Sequence, residues 1–128
     1  MSALQARRAR AERTGRRAEW LASWRLRFAG YRILARNVRT PVGEIDLVAR
    51  RGKTLAFVEV KARPTLAAAA EALGKRQQAR IRRAAEFFLA GRPTLACLDL
   101  RFDAILVTPR GIPRHILDAW RESTPGIT

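Results

Sequence analysis

A chain of 128 residues is one ordinary domain, and with 48% hydrophobic and 29% charged residues it can build a core. One cysteine (Cys97) and one histidine (His115) exclude a disulfide framework, a Cys/His zinc site and any chemistry needing several histidine ligands. Lys and Arg number 26 against 11 Asp and Glu, a formal net charge of +15 that points first to a polyanionic partner.

The opening MSALQARRARAERTGRR is Arg-rich and acid-poor, and residues 1–13 read as a flexible basic arm ahead of a single domain over 14–121, with a tail over 122–128. Thr14 to Gly30 has the pattern of an amphipathic helix, with Leu21, Trp24 and Phe28 at three- and four-residue steps and Gly30 placed to end it. YRILARNVR follows as a strand, broken by Thr40, Pro41 and Gly43. GEIDLVARRGKTLAFVEVKAR holds two β-rich runs about a Gly52/Lys53 tip, a hairpin signature. Residues 66–90 are good helix formers, with Gly74 as a candidate split and Gly91 and Pro93 as stop signals. Leu98 to Val107 alternates as a strand, and His115 to Trp120 closes the chain with an element whose type the pattern leaves open.

This order suits an α/β domain, a small mixed central sheet flanked by helices. Cys97 beside Leu98 reads as buried filler, and Trp20, Trp24 and Trp120 occupy apolar positions that read as core. No apolar run approaches the roughly 20 residues of a membrane span, and a secretory signal is missing, so the expected location is cytoplasmic with no membrane partner.

Folding the hairpin about its tip pairs residues whose numbers sum to about 105, which sets Asp46 opposite Glu59 and Val48 opposite Phe57. One face then carries Ile45, Leu47, Ala49, Ala56, Val58 and Val60, while the other carries Asp46, Val48, Phe57, Glu59 and Lys61. Opposed carboxylates among apolar neighbours repel each other unless a cation lies between them or one takes a proton. Oxygen ligands from Asp46 and Glu59, with a backbone carbonyl near Val60 and water, suit Mg²⁺ or Mn²⁺. Lys61, two residues beyond Glu59 on the same face, could hold a water or offset charge on a phosphate. An ordinary surface acid paired to Lys61 would give the same pattern and contribute little.

Glu19 precedes Trp20 and either points inward toward the hairpin acids or serves as a favourable acid near a helix start. Lys75, Arg76, Arg80, Arg82 and Arg83 have no acid among them, and Ile81, Ala84, Ala85, Phe88 and Leu89 supply the core side of the same helix. With this net charge the basic side reads as a phosphate-tracking surface, and Gln77 and Gln78 lie where they could reach phosphate or base edges.

An acid on one strand followed on the next by Glu-x-Lys resembles the PD-(D/E)xK nuclease superfamily. The segments GYRILARNVR, GEIDLVAR, FVEVKAR and RFD are similar to the YraN family of bacterial endonuclease-like proteins, distantly related to archaeal Holliday junction resolvases. The resemblance spans about Gly15 to Trp120 and implies a restriction-endonuclease-like fold, with Asp46 and Glu59 as metal ligands and Lys61 as the catalytic lysine. Glu19 matches the acid that related nucleases carry on their first helix. Two departures stand out: Pro41 lies well upstream of Asp46, and Gln77 sits where many members carry Lys. The implied activity is Mg²⁺- or Mn²⁺-dependent hydrolysis of DNA phosphodiester bonds, selective for branched or nicked structures. The alternatives are a non-catalytic nucleic-acid-binding module of the same fold and a basic ribosome- or protein-associated factor. Resolvases work as dimers, which leaves a homodimer open.

Overall fold

A computed structural model describes residues 2–120, apart from the Ala11 side chain, so the expected tail over 122–128 lies outside the described residues. Helix α1 (Ala3–Phe28) begins at Ser2, whose hydroxyl accepts the Gln5 N–H at 3.1 Å while the Gln5 side chain accepts the Ser2 N–H at 2.9 Å. Helix therefore replaces the expected flexible arm from Ala3 onward instead of starting at Thr14, because a capping box opens a run of Ala and Arg, both good helix formers. Ala18, Ala22 and Leu26 press α1 onto the sheet, whereas Trp20, Trp24 and Phe28 are exposed. Both triplets have four-residue spacing, and the large aromatics were expected inside. The sheet takes the Ala18, Ala22 and Leu26 stripe because its two small side chains let the helix backbone come close.

Five strands follow in an order that is the same in space as along the chain: β1 (Arg32–Thr40), β2 (Gly43–Arg51), β3 (Thr54–Ala62), β4 (Asp99–Val107) and β5 (Arg114–Ile116). Only β3 and β4 run parallel, and the segment between them carries α2 (Leu66–Glu71), α3 (Lys75–Ala90) and α4 (Pro93–Ala96). Gly74 splits the helical stretch as its sequence suggests, serving as the N-cap of α3. The short α4 starts on Pro93, a residue suited to a first helical position. Cys97 caps its C-terminus and is exposed, not buried. This is the small restriction-endonuclease-like arrangement, a five-stranded mixed sheet with helices on both faces.

The hairpin register is the expected one, with Leu47 opposite Val58, Val48 opposite Phe57 and Ala49 opposite Ala56. Leu47, Ala49, Ala56 and Val58 pack under α1, while Val48, Leu55 and Phe57 pack under Ala84, Ala85 and Phe88 of α3. Burial on both faces explains why β2 and β3 read as nearly continuous apolar runs. Ile45 departs from expectation: it joins Val48 on the α3 side, not Leu47 on the α1 side. Alternation fails between Ile45 and Leu47, which is where Asp46 stands.

At the far side of the sheet Asp103 is fully buried and saturated with donors. Arg101 gives it two bonds, at 2.7 and 2.8 Å, His115 Nε2 lies 2.8 Å away and the Asp118 N–H donates at 2.9 Å. Arg101 also donates to Tyr31, whose ring stands edgewise to His115 at 5.7 Å, so the cluster ties the exit of α1 to β4 and β5. Burial alone would raise the Asp103 carboxyl, but the His115, Arg101 and Asp118 donors together hold it down at about 2. Asp103→Ala should lower stability by about 3–5 kcal/mol in urea melts, because it strands a partly buried guanidinium. The parent should keep this contribution above the ordinary aspartate range and lose it as pH falls toward 2. A variant as stable as the parent would show that the cluster does not hold these elements together.

Candidate active site

The described β1–β2 pairs pass from Arg36↔Leu47 to Val38↔Ile45, and the β2–β3 pairs stop at Leu47↔Val58, so Asp46 is paired in neither ladder. Its neighbour across β1 would be Asn37, which takes a left-handed backbone with φ of 49°. Asn tolerates that conformation better than most residues. Instead of facing Glu59 across a regular ladder, Asp46 turns its carboxylate to the backbone of β3, where Oδ2 accepts the Val60 N–H at 2.8 Å. A side-chain acceptor thus replaces the missing strand carbonyl, and the end of the hairpin is free to open.

A cleft of about 650 Å³ occupies that opening, lined by Glu19 of α1, Asp46 of β2, Glu59 and Lys61 of β3, and Gln77 and Arg80 of α3. Glu59 is buried, and its Oε1 accepts from Lys61 Nζ at 3.0 Å and from Gln77 Nε2 at 3.2 Å. Gly43 brings α3 near enough for this contact: a Cβ there would stand 3.1 Å from the Arg80 carbonyl oxygen.

Burial, and then the Asp46 charge, push the Glu59 carboxyl up to about 7 despite the opposing pull of Lys61 and Gln77. Asp46 is also raised, chiefly by burial, against the Val60 N–H, the Lys61 charge and a hydrogen bond with Glu59. Glu19 is raised by burial and by Asp46, with a hydrogen bond from Asn37 opposing. Four carboxyls, Glu19, Glu44, Asp46 and Glu59, therefore line one cleft, where Asp46 raises Glu19 and Glu59 and Glu44 raises Asp46. Among the described residues no three His, Cys, Asp or Glu side chains converge closely enough to form a protein-only metal cage.

The remaining sequence candidates divide. Gln77 turns into the cleft and bonds Glu59, and Gln78 bonds the Leu73 carbonyl at 2.9 Å, closing the α2–α3 turn. Lys75, Arg76, Arg80 and Arg83 are exposed on α3, Arg80 at the rim of the cleft. Arg101 and Asp103 pair with each other, away from the cleft. Asn37 went unnoticed in the sequence, although an Asn inside a strand-like run is a signal for left-handed backbone.

Unfolding returns the Glu59 carboxyl from about 7 to its ordinary value near 4.5, so between those values the folded chain holds more protons. Stability should then fall as pH rises from about 4.5 to 7 and level off above, the opposite sense to Asp103. Glu59→Gln keeps a side-chain acceptor for Lys61 and should flatten that limb in melts run in chelator. Equal slopes for parent and variant would place the pH dependence elsewhere.

The family described as "Uncharacterised protein family UPF0102" matches residues 18–107, a span holding Glu19, Asp46, Glu59, Lys61 and Gln77. A UPF0102 protein of Parvibaculum lavamentivorans is 60% identical over 111 residues, which is 87% of this chain and 84% of that protein. Another from Bradyrhizobium diazoefficiens is 55% identical over 91% of this chain and 88% of its own length. A third, from Chelativorans sp., is 54% identical over 85% and 88%. With the match extending from α1 to the end of β4, the chain belongs to the UPF0102 family, the YraN family whose segments its sequence resembles.

Proposed function

We propose that the protein is a metal-dependent endonuclease that hydrolyses DNA phosphodiester bonds, acting on branched or nicked structures. The observation that carries this reading is the convergence of Asp46, Glu59 and Lys61 in a cleft where burial raises both carboxyls and the Asp46 charge raises Glu59 further. A structural ion pair would relieve its acids, as Arg101 relieves Asp103, whereas here one lysine faces two acids with Glu19 and Glu44 lining the same cleft. Hard oxygen donors in that state fit Mg²⁺ or Mn²⁺, which bind through few carboxylates and leave places for phosphate. Asp46 and Glu59 would hold the ion, which when bound supplies Lewis-acid polarisation of a phosphoryl oxygen.

The chain's own groups account for the rest. Val60 fixes Asp46 through its N–H, and Gln77 fixes Glu59, so neither carboxylate has to be ordered when substrate arrives. Lys61, partly exposed to the cleft, is placed to stabilise negative charge growing on phosphorus and to orient a water. Glu19, hydrogen-bonded to Asn37, stands on the α1 wall, where with its raised carboxyl it can take or give a proton. Arg80 at the rim, with Arg76 and Arg83 on the same helix, supports a phosphate-tracking role for α3.

Purified protein should nick or cut at least one of linear, nicked, flapped or four-way DNA when given Mg²⁺ or Mn²⁺. Asp46→Asn, Glu59→Gln and Lys61→Ala should each lower the rate by about a hundredfold or more. A triple variant that cuts as fast as the parent would assign the activity to a contaminant. Binding without cleavage across the whole panel would favour the non-catalytic module.

The metal site has a test that needs no substrate. Asn at position 46 keeps an oxygen for the Val60 N–H while removing the charge, so Asp46→Asn should melt higher than the parent in chelator. Mn²⁺ at about 100 times its dissociation constant should stabilise the parent by about 2.7 kcal/mol and the variant by much less. An equal response of the two proteins to Mn²⁺ would remove Asp46 from the site.

A further inference from the structure

Helix α1 presents a second exposed feature on the side turned away from the sheet. Arg10, Arg13, Arg17, Trp20, Trp24 and Phe28 recur at steps of three or four residues, so they form one stripe, Arg in its first half and aromatic in its second. The aromatic rings are open to solvent, Trp20 at 58%, Trp24 at 41% and Phe28 at 85%. They form a file, with 6.3 Å between the Trp20 and Trp24 centroids and 6.0 Å between those of Trp24 and Phe28. Arg27 lies 5.3 Å from the Trp24 centroid and adds a cation at the edge of the file. A row of exposed aromatic rings costs hydration, and nothing in the packing of α1 requires it, since the core contacts come from Ala18, Ala22 and Leu26.

We infer that this stripe is a docking track for an unpaired nucleic-acid strand, its bases lying on Trp20, Trp24 and Phe28 and its phosphates on the neighbouring arginines. Exposed rings suit splayed bases, which stack on aromatics without regard to sequence, whereas a duplex keeps its base faces covered. The charge fits a polyanion: α1 carries eight Arg against two Glu. That same charge makes a second copy of α1 a poor occupant. The track also reaches the cleft, because Trp20 follows Glu19 by about 100° around the helix, with Arg16 between them on the preceding turn. Resting on the nucleic-acid reading of the cleft, the inference narrows the substrate to one with an unpaired segment beside the cleavage position.

Binding of the full chain to a 20-residue thymidine oligonucleotide and to a hairpin duplex of equal phosphate number, measured in chelator, separates the two readings. The combined change Trp20→Ala, Trp24→Ala and Phe28→Ala should weaken oligonucleotide binding at least about tenfold and duplex binding by no more than about threefold. Arg13→Ala with Arg17→Ala should weaken both. A parent that binds the oligonucleotide through the stripe yet cuts no member of the DNA panel would count against the nuclease reading of the cleft alone. Since the three aromatics are exposed, the triple variant should fold. If it does not, Trp24→Ala and Phe28→Ala taken singly carry the same comparison. Equal loss on both ligands, or no loss on either, overturns the inference. So does a parent dimer that the triple variant dissolves while oligonucleotide binding persists, or a stripe needed for anionic phosphatidylglycerol vesicles but not for the oligonucleotide.

Discussion

A single hydrogen bond, 2.8 Å from the Val60 N–H to Asp46 Oδ2, stands where the β2–β3 ladder ends. Had the strands stayed zipped, a backbone carbonyl would fill that place and Asp46 would project from a closed sheet. Had they simply frayed, the part-buried Val60 N–H would go unsatisfied, at a cost of about 1–3 kcal/mol. The carboxylate avoids both outcomes, satisfying the donor while letting the hairpin widen. Widening makes the cleft, and the close approach at Gly43 lets α3 deliver Gln77 to one side of it. The geometry of the acids therefore follows from one exchange of acceptor, supported by the left-handed Asn37 across β1.

Two carboxylate environments in one small sheet make the chemistry of that cleft easier to judge. Asp103 is more deeply buried than Asp46, yet it lies far below the ordinary range because each of its oxygens meets two donors. Asp46 and Glu59 are raised because desolvation, joined at Glu59 by the Asp46 charge, outweighs their donors. The protein thus has the means to silence a buried acid completely and applies it at Asp103 but not in the cleft. Groups left in tension at a concave place are where chemistry is expected.

Much of this was legible in the sequence, and the failures share a cause. The hairpin could be read to its register because a tight turn and alternating side chains fix pairing over a short distance. The break at Asp46 could not, since it depends on a side chain competing with the backbone for Val60. On α1 two stripes obeyed the same periodicity, and a preference for large apolar residues chose Trp24 and Phe28 over Ala18 and Ala22. Close helix–sheet contact favours small residues, a constraint visible only once the sheet exists. Gln77 looked like part of a basic surface because its neighbours are cationic, but its position on the helix turns it toward Glu59.

The distribution of charge bears on how such a cleft could distinguish its ligands. A net charge of +15 draws phosphate to the whole surface, so attraction alone gives no preference for one spot. Glu19, Glu44, Asp46 and Glu59 make the cleft locally acidic against Lys61, Arg63 and the rim guanidinium of Arg80, and an unaccompanied phosphate is least welcome there. Under the proposed reading that repulsion sets the condition for engagement: the phosphate enters only when a divalent cation has offset the acids, so binding elsewhere on the basic surface does not by itself lead to cleavage. A cleft lined with lysines would bind nucleic acid more tightly and without that condition. Gathering four acids in one cleft of so cationic a chain, with the Asp46 charge working against Glu19 and Glu59, is hard to account for by solubility or by binding alone.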